Sequence, residues 1–172
     1  MILRSSPPSP FGRKVVIAAS VLGLSKDITV EAADPSNAAD TLRSQNPLGK
    51  IPILIPEDGL ALFDSRVILD YLDHRAGGGK IVPHEPKARF AALRLQALAD
   101  GITDASILVL YEGRFRPVEQ HGPKWLDYQN DKIKRGFAAL EADVPAIDPT
   151  PNDWLARFAA TVPAYDASAP KA

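Results

Sequence analysis

The chain has 172 residues, a net charge of −1 from 20 Lys and Arg against 21 Asp and Glu, 45% apolar residues and no cysteine. The apolar fraction supplies a packed core and excludes wholesale disorder, and the near-zero charge argues against a nucleic-acid binder, which needs a basic face to release counterions. Without cysteine there is no disulfide, no thiolate zinc site and no mechanism in which the protein supplies its own thiol. No run approaches the ~18 apolar residues of a membrane span. Met1 to Pro8 carries no basic region followed by an apolar run, so no secretory signal is legible. The expectation is a cytoplasmic protein of one domain or two small ones, with neither a membrane nor a nucleic-acid partner.

Met1 to Arg4 is a short apolar segment and a candidate strand, followed by a loop with three prolines over Ser5 to Pro10. From Phe11, apolar positions 11, 15, 18, 19 and 22 share one helical face, and Gly23 is a stop signal. Ile28 to Glu31 reads as a second strand, and Asp34-Pro35-Ser36 as the cap of a short polar helix ending near Asn46. A strand then opens at Pro52. Glu57-Asp58-Gly59 is a hairpin turn, Leu60 to Phe63 the returning strand, and Ser65 to His74 a helix. Arg75 to Glu85 is rich in glycine and proline. Beyond it, Pro86 to Gly113 and Lys124 to Ala142 have helical periodicity, with a short third helix over Asp153 to Ala160. The expected organisation is a mixed α/β domain over 1–75, a linker over 76–85 and an all-helical domain over 86–172.

Three places in the first domain carry chemistry. Ser9, after a strand and before Pro10, is a natural helix N-cap, and the same spot gathers unpaired N–H groups and positive potential that favour an anion such as a thiolate. Taken alone, a cap is the commoner role for such a serine. Ile51-Pro52 opens a strand; a cis bond there would turn the Ile51 backbone outward toward a ligand, although trans is the commoner state of an X–Pro bond. Ser65 is a second candidate cap, and the same hydroxyl and N–H at a helix start would suit a substrate carboxylate, with Asp64 facing an ammonium. Jointly these positions fall at strand ends and helix starts of one small α/β unit, where ligands bind. His74, His84 and His121 have no metal-ligand spacing and read as solvated, and no nucleophile elbow or phosphate loop is present.

Ser9-Pro10-Phe11-Gly12-Arg13-Lys14-Val15, Asn46-Pro47-Leu48-Gly49-Lys50-Ile51-Pro52 and Asp64-Ser65-Arg66-Val67-Ile68 with Tyr71-Leu72 resemble the glutathione S-transferase family, in its bacterial serine-type members. Trp154 to Ala160 is similar to that family's C-terminal helix. The resemblance implies an α+β chain: a thioredoxin-like N-terminal domain, with a cis bond at Pro52, and an all-α C-terminal domain. It implies that Ser9 holds the glutathione thiolate, with Ser5 and Ser6 as weaker candidates. Ile51 and Pro52 would meet the cysteinyl part, Asp64 and Ser65 the γ-glutamyl end, and Lys50 the glycyl carboxylate. Phe11, Tyr111 and Arg114 would face a hydrophobic electrophile. It further implies a detoxifying transferase that works as a homodimer, with glutathione as co-substrate, no tightly bound cofactor and no metal.

The same residues leave a non-catalytic glutathione or hydrophobic-ligand binder, and a purely structural protein, as alternatives. One departure stands out. Pro145, Pro149 and Pro151 prevent a helix between Ala142 and Trp154, where the family pattern has a buried central helix. Either the chain lacks that helix, or residues are omitted between Asp148 and Asp153, the latter favoured by the apolar area a deletion would expose.

Overall fold

The computed structural model describes residues 1–143. The helix expected over Asp153 to Ala160, the proline-rich interval before it and the question of a missing central helix lie outside the described residues. The chain divides into two compact units, one over Met1–Lys80 and one beginning at Ile81.

In the first unit β1 (Ile2–Ser5) is the central strand of a three-stranded mixed sheet ordered β2-β1-β3. It pairs in parallel with β2 (Thr29–Ala32), Ile2 beside Thr29 through Ser5 beside Ala32, and antiparallel with β3 (Ile53–Ile55), Ile2 beside Ile55 through Arg4 beside Ile53. The helix α1 (Pro10–Val21) makes the crossover between the two parallel strands, and a parallel pair needs such a connection. Its buried face is Gly12, Val15, Ala18 and Ala19, continued by Leu22, which is the apolar stripe read from the sequence with Gly12 in place of the half-buried Phe11. Leu3, Val15, Leu42, Ile53, Leu54, Ile68 and Leu72 have no exposed surface and form the core of this unit. The thioredoxin-like arrangement is present.

Two elements differ from the sequence expectation. The returning strand over 60–63 reduces to a single bridge, Leu54 with Leu62, closed by a reciprocal pair of backbone bonds of 3.0 and 2.8 Å. The helix expected from Asp34 is only α2 (Leu42–Gln45). Asp34 and Asn37 each bond a backbone N–H two residues on, at Ser36 and Ala39, and such local turns compete with helix formation. The helix start is held instead by Asp40, whose carboxylate accepts from Leu42 N–H at 2.8 Å.

The helix α3 (Ser65–Arg75) ends in a fastened turn rather than a loose tether. Gly77, Gly78 and Gly79 all have φ between 76° and 103°, backbone that residues with a Cβ resist. Buried Asp73 accepts from the N–H of Gly79 at 2.9 Å and of Lys80 at 3.0 Å.

The second unit is a pair of helices, α4 (Pro86–Phe115) and α5 (Pro123–Ala142). Glu85 caps α4 through the N–H groups of Lys87 and Ala88. Gly136 of α5 lets the helices meet closely: a Cβ there would run into the side chain of Ile102. The reversal between them is tied by buried Glu112, which accepts from Gly122 N–H at 2.9 Å and from Arg116 at 3.1 and 3.2 Å.

Candidate functional site

Strand register brings the three singled-out segments to one end of the sheet. The last antiparallel pair is Arg4 with Ile53, so the loop leaving β1 toward Ser9 starts beside the Ile51-Pro52 segment that enters β3. The Leu54–Leu62 bridge is also antiparallel. Two residues past Leu62, Asp64 therefore comes level with Pro52.

Ser9 is the N-cap of α1, with extended backbone (φ −69°, ψ 115°) and Oγ accepting from Gly12 N–H at 3.1 Å. A hydroxyl has one proton to donate and two lone pairs to accept with. The cap uses a lone pair, so the proton stays available for an anion in front of the helix. Cap and anion donor are therefore compatible roles for one serine. Ser5 is buried beneath the helix, its Oγ occupying the space that a Cβ on Gly12 would need. Ser6 contributes its carbonyl to the N–H of Ser9 at 3.0 Å.

The Ile51–Pro52 bond is cis, as the resemblance implied and against the commoner state of such bonds. The Phe63–Asp64 bond is cis as well. The turn ahead of Ile51 is held by Asn46, buried at 2% exposure. Its side-chain amide donates to Lys50 O at 2.9 Å, and its Oδ1 accepts from Leu48 N–H at 3.0 Å. Gly49 completes the reversal at φ 62°, a left-handed conformation suited to glycine. Lys50 itself is exposed.

At the start of α3 the capping residue is Asp64, not Ser65. Asp64 is extended (φ −89°, ψ −162°) and accepts from Arg66 N–H at 3.0 Å; Ser65 is already helical. The physical reason is conformational: an N-cap stands outside helical φ/ψ, and only Asp64 does so. Ser65 is thus free of capping duty. It is 2% exposed, and its Oγ accepts from Lys14 Nζ of α1 at 3.4 Å. Asn46 and Lys14 lay inside the quoted motifs, but sequence reasoning gave neither a role. Asn four residues ahead of Lys50 was a legible turn signal for the first; nothing local signals the second.

Beside the site, Arg4 of β1 reaches Asp40 at 2.8 Å, Thr41 at 3.2 Å and Gln45 at 3.4 Å, tying α2 to the central strand. The Asp40 carboxyl sits below its ordinary range, because the N–H groups of Asp34 and Leu42 donate to it and Arg4 adds its charge.

Phe11 is half-buried on the first turn of α1. Tyr111 and Arg114 belong to the second unit, on the last turns of α4, where both engage Phe115. The Tyr111 ring meets it edge-on at 5.2 Å, and the Arg114 guanidinium lies 5.5 Å from its centroid. Among the described residues no group of three or more His, Asp or Glu could hold a metal ion, and no helix is long and apolar enough to cross a membrane.

The family described as "Glutathione S-transferase, N-terminal domain" matches residues 3–80. The "Uncharacterized GST-like protein YibF" of Escherichia coli (strain K12) is 37% identical over 143 residues, 82% of this chain and 68% of that protein. A crystal structure of a glutathione transferase family member from Pseudomonas fluorescens Pf-5, with bound glutathione, is 46% identical with a TM-score of 0.78, over 83% of this chain and 70% of that one. A glutathione S-transferase from Methylobacillus flagellatus KT, also with glutathione bound, is 37% identical with a TM-score of 0.77, over 83% and 69%.

Proposed function

This chain belongs to the glutathione S-transferase family, and from that premise we propose that it binds glutathione at the sheet end bearing Ser9, Ile51-Pro52 and Asp64-Ser65, and adds the thiolate to a hydrophobic electrophile. The observation that carries the proposal is the register-enforced meeting of those three segments. Ser9 donates to the sulfur, Ile51 pairs its backbone with the cysteinyl residue, Asp64 and Ser65 hold the γ-glutamyl end, and Lys50 meets the glycyl carboxylate. Phe11, on the first turn of α1, serves the electrophile.

The energetics close without a metal or a protein thiol. A free thiol titrates near ~8.5. Lowering that by about two units takes roughly 2.7 kcal/mol of preference for the thiolate. A hydroxyl bond to a charged acceptor contributes about 1.5–3 kcal/mol, and the helix terminus about 0.3–1 kcal/mol.

The test compares Ser9→Gly with wild type in thiol conjugation across pH. Glycine keeps most of the capping stability that alanine would lose, so the measurement isolates the hydroxyl. The expected result is a loss of kcat near pH 7, with the rise of activity with pH moved up toward the free-thiol value. An unchanged profile would remove Ser9 from the mechanism. Glutathione affinity without turnover on varied electrophiles would make the chain a binding module instead.

A further inference from the structure

Arg4 stands on the central strand between Leu3 and Ser5, which are buried on the opposite face of the sheet. Its own side chain is nearly out of solvent, at 11% exposure, and it spreads over α2. One terminal nitrogen donates to the Asp40 carboxylate at 2.8 Å, the other to Thr41 Oγ1 at 3.2 Å and Gln45 Oε1 at 3.4 Å. Its Nε is buried with no hydrogen-bond partner. A buried N–H left unpaired costs free energy, and an ion pair withdrawn from water adds little net stability once desolvation is counted. The arrangement is therefore a poor source of stability. What it supplies is position: a planar fork grips one short helix at both ends, at its cap Thr41 and at its last residue Gln45.

The grip reaches the candidate site by short steps. Gln45 is followed by Asn46, whose N–H donates to Leu42 O at 2.8 Å as α2 ends and whose side chain builds the turn up to Lys50. Arg43 of α2 runs beside Gly49 of the same turn, its Nε 3.6 Å from where a Cβ would stand. A shift of α2 therefore moves the turn. Ile51 and Pro52, by contrast, lead directly into β3, whose pairing with β1 holds them independently of α2. Lys50 is the site residue whose place depends on α2, and through α2 on Arg4.

We propose that Arg4 is a positioning residue: by fixing α2 it sets Lys50 where a ligand's C-terminal carboxylate is met, and so gives the chain a preference for a thiol tripeptide over the dipeptide that lacks the last residue. This rests on the glutathione reading above and deepens it. Arg4 acts only through α2 and its cap, since its three side-chain partners all lie within residues 40–45.

Calorimetry with glutathione and with γ-glutamylcysteine, which lacks the glycyl carboxylate, tests it. Lys50 is exposed, so wild type is expected to prefer glutathione by about fivefold, the upper range for an exposed ion pair. In Arg4→Met the glutathione affinity falls by that factor, the γ-glutamylcysteine affinity keeps its wild-type value, and the preference disappears. Arg4→Lys, which keeps the charge but not the fork, recovers only part of the preference. In conjugation assays the loss appears in KM for glutathione and not in kcat. A second variant, Thr41→Val with Gln45→Met, leaves the Arg4–Asp40 ion pair in place and narrows the same preference; it decides the matter if Arg4→Met does not fold. Three results would overturn the proposal: both ligands weakening in parallel (an arginine that only stabilises the fold), the preference surviving in the variants, or wild type binding the two ligands equally. Wild type binding neither ligand would instead defeat the glutathione reading itself.

Discussion

The two units bury their residues in different ways. The first closes on seven large apolar side chains with no exposed surface, and its loops are fixed by side chains, Arg4 to Asp40 and Lys14 to Ser65 across the fold and Asn46 to Lys50 within one turn. In the second, the described buried positions include Ile102 and Ala105 but also Asp100, Glu112 and Gln129, while Phe90, Leu110, Phe115 and Phe137 stay exposed. The first unit is therefore over-determined around its loops, which suits a site that must hold several groups in fixed relation. The helical pair is held by a close approach at Gly136 and a tied reversal at Glu112, which constrain its ends and crossing more than its faces.

That contrast can be broken by mutation. Leu54→Ala, in the core of the sheet, is expected to cost about 2–5 kcal/mol in chemical denaturation, whereas Phe137→Ala on α5 is expected to stay within about 0.5 kcal/mol. Equal costs would end the comparison. Asn46→Ala leaves the Lys50 carbonyl and the Leu48 N–H without their partner, and is expected to cost about 1–3 kcal/mol and to weaken glutathione binding measured by calorimetry. Full retention of affinity would mean that the turn is not needed for the site.

The helical pair yields a smaller and reversible effect. Gly136→Ala pushes a methyl into Ile102 and is expected to cost about 1–2 kcal/mol by overpacking. Ile102→Val in the same chain should recover part of it, and no recovery would place the cost elsewhere.

The smallest effects are electrostatic and pair one carboxylate from each unit. Asp40 and Glu112 both titrate below their ordinary values of 3.8 and 4.5, in each case first because a backbone N–H donates to the ionised form, from Asp34 to Asp40 and from Gly122 to Glu112. A depressed carboxyl contributes stability that is full above the unfolded value and is lost as pH falls through the folded one. The window thus lies below about 3.8 for Asp40 and below about 4.5 for Glu112. Asp40→Asn and Glu112→Gln should each flatten the acid limb of the stability profile in its own window. A limb unchanged by either substitution would show that these carboxylates do not carry it.

Much of this protein follows from residues a few positions apart. The helix starts at Ser9-Pro10 and Glu85-Pro86, the buried stripe of α1 and the reversal at Glu57 to Gly59 are set by capping, periodicity and turn chemistry, which act within about four residues and so are legible in the chain. The shortened α2 shows how finely such local choices compete. Asp34 and Asn37 closed turns of their own, and Asp40 took the helix start. What required the folded chain was the meeting of elements far apart in sequence. Only strand register sets Ser9, Pro52 and Asp64 at one sheet end, and only that packing puts Lys14 against Ser65, 51 residues away. No local signal encodes such a pair, because its energy depends on two helices being docked first, and docking is decided by burial of the whole core rather than by any one segment.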